Sequence, residues 1–312
     1  MRHAVEITMQ NYKDFWDDKA STTKGAFIAV DGSANEEVLA LTGAYSAQQV
    51  STALALNKND RVLELGCGVG RIGNLLAPHV AHWEGADISA NMIGVARERL
   101  AAHRNVGFTE LLRTSLKPLA DASIDKAYSV AVFIHMDKED FYLYLEELAR
   151  VVKPGGLVYF DTWNLTSPVG WRRFALEAVQ YRAADFSVRK DVARNQFSTP
   201  DEVNAFLKHA GFEPLLMLAD SPWVQAVAIR KGAGDAPAER ARVNAQAARI
   251  AYTPLWTELF DNLIKVTTEG LPPREMLNML ADTARGSEIP MFRAWFLELW
   301  RANEQQWGPA PV

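Results

Sequence analysis

The stretch Val62 to Gly73, VLELGCGVGRIG, is where residue types and spacing point to chemistry: a short apolar run enters Gly66, Gly68 and Gly70 and then a helical pattern. Glycine is needed in such a turn because only a loop without side chains lets backbone N–H groups approach a ligand while the chain bends sharply into a helix. The stretch therefore reads as a nucleotide cradle. Plain steric demand can also put glycine in a strand-to-helix turn, so the spacing has to discriminate. A dinucleotide-binding GxGxxG starting at Gly66 requires glycine at position 71, where the chain has Arg71. Glu64 sits two residues ahead of the first glycine. Asp87 ends the next apolar run, 21 positions after Gly66, where a carboxylate can accept hydrogen bonds from both ribose hydroxyls of an adenosine. The other reading of ADISANM is a helix N-cap at Asp87 or Ser89.

Residues 64 to 70 match in full the ELGCGxG signature of the class I S-adenosylmethionine-dependent methyltransferases, and the chain resembles that family over roughly residues 58 to 230. The resemblance implies S-adenosylmethionine as cofactor, S-adenosylhomocysteine as product, and no metal. It implies cofactor contacts at Glu64, Gly66, Cys67, Gly68, Gly70, Asp87 and Met92, with Ile88 packed on adenine. The family often places a further acid after the third strand. TELLRTSLKPL has none at the expected place, so adenine is expected to meet backbone groups near Leu112 and Arg113. DASID, residues 121 to 125, resembles the family's lead into the fourth strand and implies backbone contacts at Val130 and Ala131. The Cys67 side chain reads as a small packing residue, not a reactive thiol.

Methyl transfer from a sulfonium is an in-line displacement, so the protein's main task is to align nucleophile and methyl and to exclude water. A hydroxyl or carbon-acid acceptor gains from a positioned base, and His135 in VFIHM, just past the fourth strand, is the candidate; the other reading has it packing at the strand end. Trp163 and Asn164, leaving the fifth strand with Asp161, are expected as substrate-pocket walls on the edge where ligands of open α/β sheets collect. Tyr12 and Trp16, in NYKDFWDDKA, occupy the place where small-molecule members of the family fold a lid; an aromatic helix covering a sheet edge is the alternative. No NPPY-type tetrapeptide and no Pro-Cys nucleophile occurs, which weighs against nucleic-acid bases as acceptors. The expectation is a methyltransferase acting on oxygen, nitrogen or carbon of a small-molecule metabolite. Its rivals are a protein or RNA methyltransferase that docks through C-terminal helices, and a non-catalytic adenosylmethionine-binding protein.

These residues need a scaffold, and the alternation of short apolar runs with amphipathic stretches from about Arg61 to Arg230 supplies one: a parallel sheet covered by helices. The expected fold is α/β, a Rossmann-like, mostly parallel seven-stranded sheet with helices on both faces. Its strands are Arg61 to Leu65, Trp83 to Asp87, Val106 to Glu110, Asp125 to Val132 and Leu157 to Trp163, plus a closing hairpin from Glu213 to Ala219 and Trp223 to Arg230. Phe141, Tyr144, Leu145, Leu148, Val151 and Val152 form a helical stripe that Pro154, Gly155 and Gly156 should stop. Thr199, Pro200 and Glu202 form a capping box. KGAGDAPAE, from Lys231 to Glu239, is the candidate linker. The expected division is a helical lid over residues 1–57, the cofactor-binding domain over 58–232 and a helical region over 233–312. Stripes at Trp256, Leu259, Phe260, Leu263 and at Phe292, Trp295, Phe296, Leu299, Trp300 either complete a pocket or pair two subunits as a homodimer.

Composition fits. Forty-eight per cent of the 312 residues are apolar, enough for a core, and a net charge of −5 supplies no overall basic field for a nucleic-acid backbone. One cysteine excludes an internal disulfide framework or multi-cysteine metal site and suits a reducing cytosol. The first residues lack the apolar run of a signal peptide, and nowhere do about 18 apolar residues run together as a membrane span requires, so a cytoplasmic protein is expected.

Overall fold

The computed structural model describes residues 4–185 and 194–311, and side chains from residue 12 onward; the ends of the 1–57 and 233–312 segments and part of 58–232 lie outside the described residues. Helices α1 (Ala4–Lys19), α2 (Thr23–Asp31) and α3 (Glu36–Leu54) precede the sheet. Then come β1 (Arg61–Leu65), α4 (Gly73–Leu76), β2 (His82–Asp87), α5 (Ala90–Arg99), β3 (Val106–Glu110), β4 (Ile124–Ser129), α6 (Lys138–Val151) and β5 (Val152–Asn164). After α7 (Pro168–Gln180) follow β6 (Phe197–Ser198), α8 (Pro200–His209), β7 (Phe212–Leu218) and β8 (Trp223–Arg230). The chain continues through α9 (Ala236–Ala245), α10 (Ala247–Ile250), α11 (Pro254–Ile264), α12 (Pro273–Met279), α13 (Ile289–Ala302) and α14 (Glu304–Trp307).

The strands lie in the order β3-β2-β1-β4-β5-β8-β7, parallel from β3 to β5, with β8 antiparallel to both β5 and β7. The chain winds outward from β1 through β2 to β3, then crosses back to place β4 on the other side of β1. That makes the carboxyl ends of β1, β2 and β4 the switch point at which ligands of such sheets sit. Four of the five residues of β1 are buried, as a strand covered on both faces demands. One core lies under α6 and α8, where Phe141, Tyr144, Leu145 and Leu148 meet Leu63, Val158 and Phe160; the other joins α3 and α4 to Trp83, Tyr128 and Tyr159. The Thr199 cap forms as expected, its hydroxyl accepting the Glu202 N–H at 3.2 Å.

Several boundaries differ from the sequence expectation. β4 stops at Ser129, not Val132, because Ala131 takes a left-handed φ of 59° and turns the chain out of the sheet. Pro154, Gly155 and Gly156 do not separate helix from strand: α6 ends at Val151, β5 begins at Val152, and the three residues form an irregularity where pairing jumps from Val152 with Ile124 to Leu157 with Lys126. An eighth, two-residue strand, β6, pairs with the end of β5, so the sheet exceeds the seven strands expected. Half of the expected linker is helix, since Asp235 accepts the Ala238 N–H at 2.9 Å and caps α9. The C-terminal stripes face each other inside the chain, with Leu259, Phe292, Phe296 and Trp300 buried in one cluster, and nothing supports their use as a dimer face. Among the described residues no helix is long and apolar enough to cross a membrane.

Candidate cofactor and substrate site

A cavity of about 260 Å³ opens at the switch point. Its floor is the bend after β1, where Gly66, Gly68 and Gly70 all have left-handed φ, at 72°, 50° and 69°. A Cβ on Gly66 would sit 2.3 Å from Val132 Cγ2, and one on Gly68 would sit 2.8 Å from Val30 Cγ2, so both positions need glycine twice over. The bend's amides are not bare, contrary to the cradle expected from the glycines. Gly66 and Cys67 donate to the Ala86 carbonyl at 2.7 and 3.1 Å, Gly70 donates to Cys67, and Gly68 donates to Asp87 Oδ2 at 2.7 Å.

Asp87 thus has two jobs. Its Oδ1 accepts the Ser89 N–H at 2.9 Å while Ser89 caps α5, so the carboxylate ties the bend to the next helix and still lines the cavity with lone pairs to offer. Burial raises its pKa, against the pull of the Ser89 and Gly68 amides. Glu64, also on the cavity wall, accepts the Tyr128 hydroxyl at 2.6 Å, and burial pushes its carboxyl up to about 8. Ile88, Met92, Cys67, Val130 and Ala131 line the cavity too.

Five expected cofactor or substrate positions do not. Gly70 faces away, where a Cβ would meet Leu100 Cδ1 at 2.5 Å, and serves close packing of the bend on α5. The Leu111 N–H continues the ladder to Asp87 O, which turns Leu111 into the cavity and leaves Leu112 74% exposed. Trp163 stacks on Trp223 at 5.2 Å and donates to Asn195. Asn164 is fully buried and fastens a turn by donating to the Ala219 and Ser221 carbonyls. Arg113 is likewise outside the cavity wall, its carbonyl accepting the Tyr144 hydroxyl at 3.4 Å.

Over the bend lies α1. Tyr12 and Trp16 both line the cavity, and the Trp16 ring meets that of His135 edge-on at 4.9 Å. His135 ends a short 3-10 turn after β4; burial lowers its pKa to about 4, and its buried Nδ1 has no partner. A neutral imidazole with an unused nitrogen therefore faces the cavity. α1 is laced down by Lys13 Nζ, which donates to Ile88 O at 3.2 Å and Glu110 Oε1 at 2.7 Å, and by Asp17, which accepts Ser89 Oγ at 2.7 Å.

Sequence reasoning missed several wall residues: Val30, Arg71, Val132, Asp140 and Tyr144. Arg71 counted only as the residue that breaks a dinucleotide motif. Here it donates to Ser46 Oγ at 3.2 Å while its buried Nε has no partner, and a cation directly after a glycine bend was the signal available. Asp140 accepts Thr114 Oγ1 at 2.6 Å, and burial raises its pKa. Among the described residues no group of three or more His, Cys, Asp or Glu side chains is placed to hold a metal ion.

A cavity at the switch point, with an acid at the tip of the second strand, lies where open α/β sheets collect nucleotide ligands. Residues 62–156 match the model of the family described as methyltransferase domain. The methyltransferase GfsG of Streptomyces halstedii is 34% identical over 124 residues, covering 38% of this chain and 43% of that protein. A ubiquinone biosynthesis O-methyltransferase of Paraburkholderia phymatum is 32% identical over 153 residues, covering 48% and 63%. The chain thus spans about half the length of the curated relatives it matches. The crystal structure of magnesium protoporphyrin IX methyltransferase from Synechocystis PCC 6803 with bound SAH shares the fold, with a TM-score of 0.52 at 19% identity over 72% of this chain and 99% of that one.

Proposed function

We propose that the chain binds S-adenosylmethionine in this cavity and transfers its methyl group to an oxygen, nitrogen or carbon atom of a small-molecule metabolite, releasing S-adenosylhomocysteine. The observation that carries the reading is the chemistry of the floor. Amides at Gly66, Cys67, Gly68 and Gly70 are already paired, and two acids, Glu64 and Asp87, flank them. Phosphates need free N–H donors or cations in such a bend. A phosphate-free nucleoside with a cationic tail suits it.

Bound there, adenosylmethionine would supply a sulfonium-activated methyl group for in-line displacement. Asp87 accepts from the ribose hydroxyls with the lone pairs its backbone partners leave. Ile88, Met92 and Leu111 give the base an apolar wall, and the unpartnered Arg71 Nε offers a donor to a carboxylate. Neutral His135 takes a hydrogen bond from the acceptor's O–H or N–H, orients its lone pair, and accepts the proton that methylation displaces before passing it to solvent, while Tyr12 and Trp16 close the site against water. In this scheme residues 1–57 act as the lid, 58–232 as the binding domain and 233–312 as a helical buttress. Relatives named for ubiquinone biosynthesis support a small-molecule acceptor. The inward packing of the C-terminal stripes gives a macromolecular docking role no support.

Titration calorimetry tests this. Adenosylmethionine should bind at one site per chain and NAD should give no heat; absent adenosylmethionine binding under conditions where the chain is folded ends the proposal.

A further inference from the structure

Asp161, on β5, is fully buried, and each of its oxygens has one partner at 2.6 Å: Oδ1 accepts the Ala131 N–H and Oδ2 accepts the Tyr252 hydroxyl. The two partners belong to different parts of the molecule. Ala131 lies in the turn after β4, and among the described residues it is one of three non-glycine residues with a positive φ. An L-residue enters that region against its steric preference and stays only where the surroundings hold it. Val130, Ala131 and Val132 all line the cavity, and the Val132 methyls press against the Gly66 turn. The angle taken at Ala131 therefore sets the shape of that wall.

Tyr252 comes from the segment between α10 and α11 and is itself held firmly. Its N–H donates to Gln225 Oε1 at 2.9 Å, its ring lies 4.6 Å from that of Trp223, and Gln225 donates in turn to Tyr159 and to the Ile250 carbonyl. From α3, Gln49 donates to the same Ile250 carbonyl at 2.8 Å. A chain of satisfied buried polar groups thus runs from the C-terminal segment through Asp161 to the cavity. Buried polar groups are held to such arrangements by the cost of leaving any member unpaired.

We propose that Asp161 and Tyr252 are positioning residues: Tyr252 fixes the Asp161 carboxylate, which holds Ala131 in its left-handed turn and so sets the cofactor-binding wall. Naming adenosylmethionine as the ligand rests on the function proposed above; the positioning does not. Tyr252→Phe removes one hydroxyl and keeps the ring packing, and should raise the dissociation constant for adenosylmethionine about 10-fold. Adding Ala131→Gly should restore it to within about 3-fold, because glycine takes a φ near 60° without being held there. A polar pair that merely supports the core predicts otherwise: a lower melting temperature, unchanged affinity well below it, and no rescue by glycine. Either unchanged affinity or absent rescue overturns the proposal. Hydrogen exchange separates the two readings if the wild-type chain fails to bind the ligand. Amides 130–132 should exchange faster in Tyr252→Phe than in wild type while β1 and β2 are unaffected, and equal exchange at 130–132 overturns the proposal with no ligand present.

Discussion

Glu64 and His135 face the same cavity with their pKa values displaced in opposite directions, and both displacements come from burial. With its carboxyl near 8, Glu64 is uncharged at neutral pH, and a cationic ligand favours its ionised form. Binding adenosylmethionine should therefore release a proton, and affinity should rise with pH until it levels off above about 8. Calorimetry in two buffers of different ionisation enthalpy reads this directly; Glu64→Gln should bind with no proton release, and a flat wild-type profile would refute it. His135, near 4 when folded against an ordinary value of 6.5, takes up a proton on unfolding between those values, so its contribution to stability is whole above 6.5 and drains away as pH falls toward 4. The same shift makes it a weak base but a dependable acceptor. His135→Ala should lower turnover about 100-fold, and the acid limb of wild-type turnover should fall below pH 5, not near 6.5. An acid limb centred on 6.5 would show an unshifted imidazole. At this scale the glycine bend and Asp87 were legible because strand, glycines and acid must come in that order. Leu112 was misplaced because inward and outward positions alternate at a strand end, so one residue of register decides between Leu111 and its neighbour.

At Lys13 and Asp17 helix α1 is fastened by polar contacts to Ile88, Ser89, Asn91 and Glu110, beside the Asp87 carboxylate, while Trp16 packs on an apolar cluster. The cavity beneath it, about 260 Å³, lies just under the range of roughly 300–1,000 Å³ that ligand sites occupy. Tyr12 and Trp16 of α1 line the cavity, so a lid role for α1 predicts that ligand exchange requires this helix to lift. Lys13 is partly exposed, so its ion pair is worth little, and Lys13→Ala should quicken dissociation of adenosylmethionine by roughly 5-fold or less. Stopped-flow displacement checks it; a rate equal to wild type means that α1 does not gate exchange through this contact. Elements were read from the sequence better than their ends. Apolar periodicity marks the faces of α6 and β1, yet it is blind to the left-handed turn at Ala131 and to the Pro154–Gly156 irregularity inside β5. Asp235 and Pro237, which start α9, look the same in sequence as a linker punctuated by proline.

Across the whole molecule, the C-terminal helices share a core with the sheet. Phe292 is 2% exposed and meets Trp256 edge-on at 4.8 Å, and Trp256 meets Trp223 of β8 at 5.8 Å. Phe292→Ala should cost about 3–5 kcal/mol, seen in calorimetry as a downward shift of one transition. A second, separate transition confined to the variant would show that the helices unfold independently. The sequence showed both aromatic stripes but not that each is the other's partner, since amphipathic pattern names a face and not what covers it. Cys67, the chain's single cysteine, is 3% exposed in the glycine bend, and burial pushes its thiol pKa up. Thiol-selective reagents thus have one address on this chain, a sulfur nearly closed to solvent and held protonated while the bend keeps its shape. The pace of labelling becomes a clock for how often that turn comes loose, with no engineered probe to disturb it.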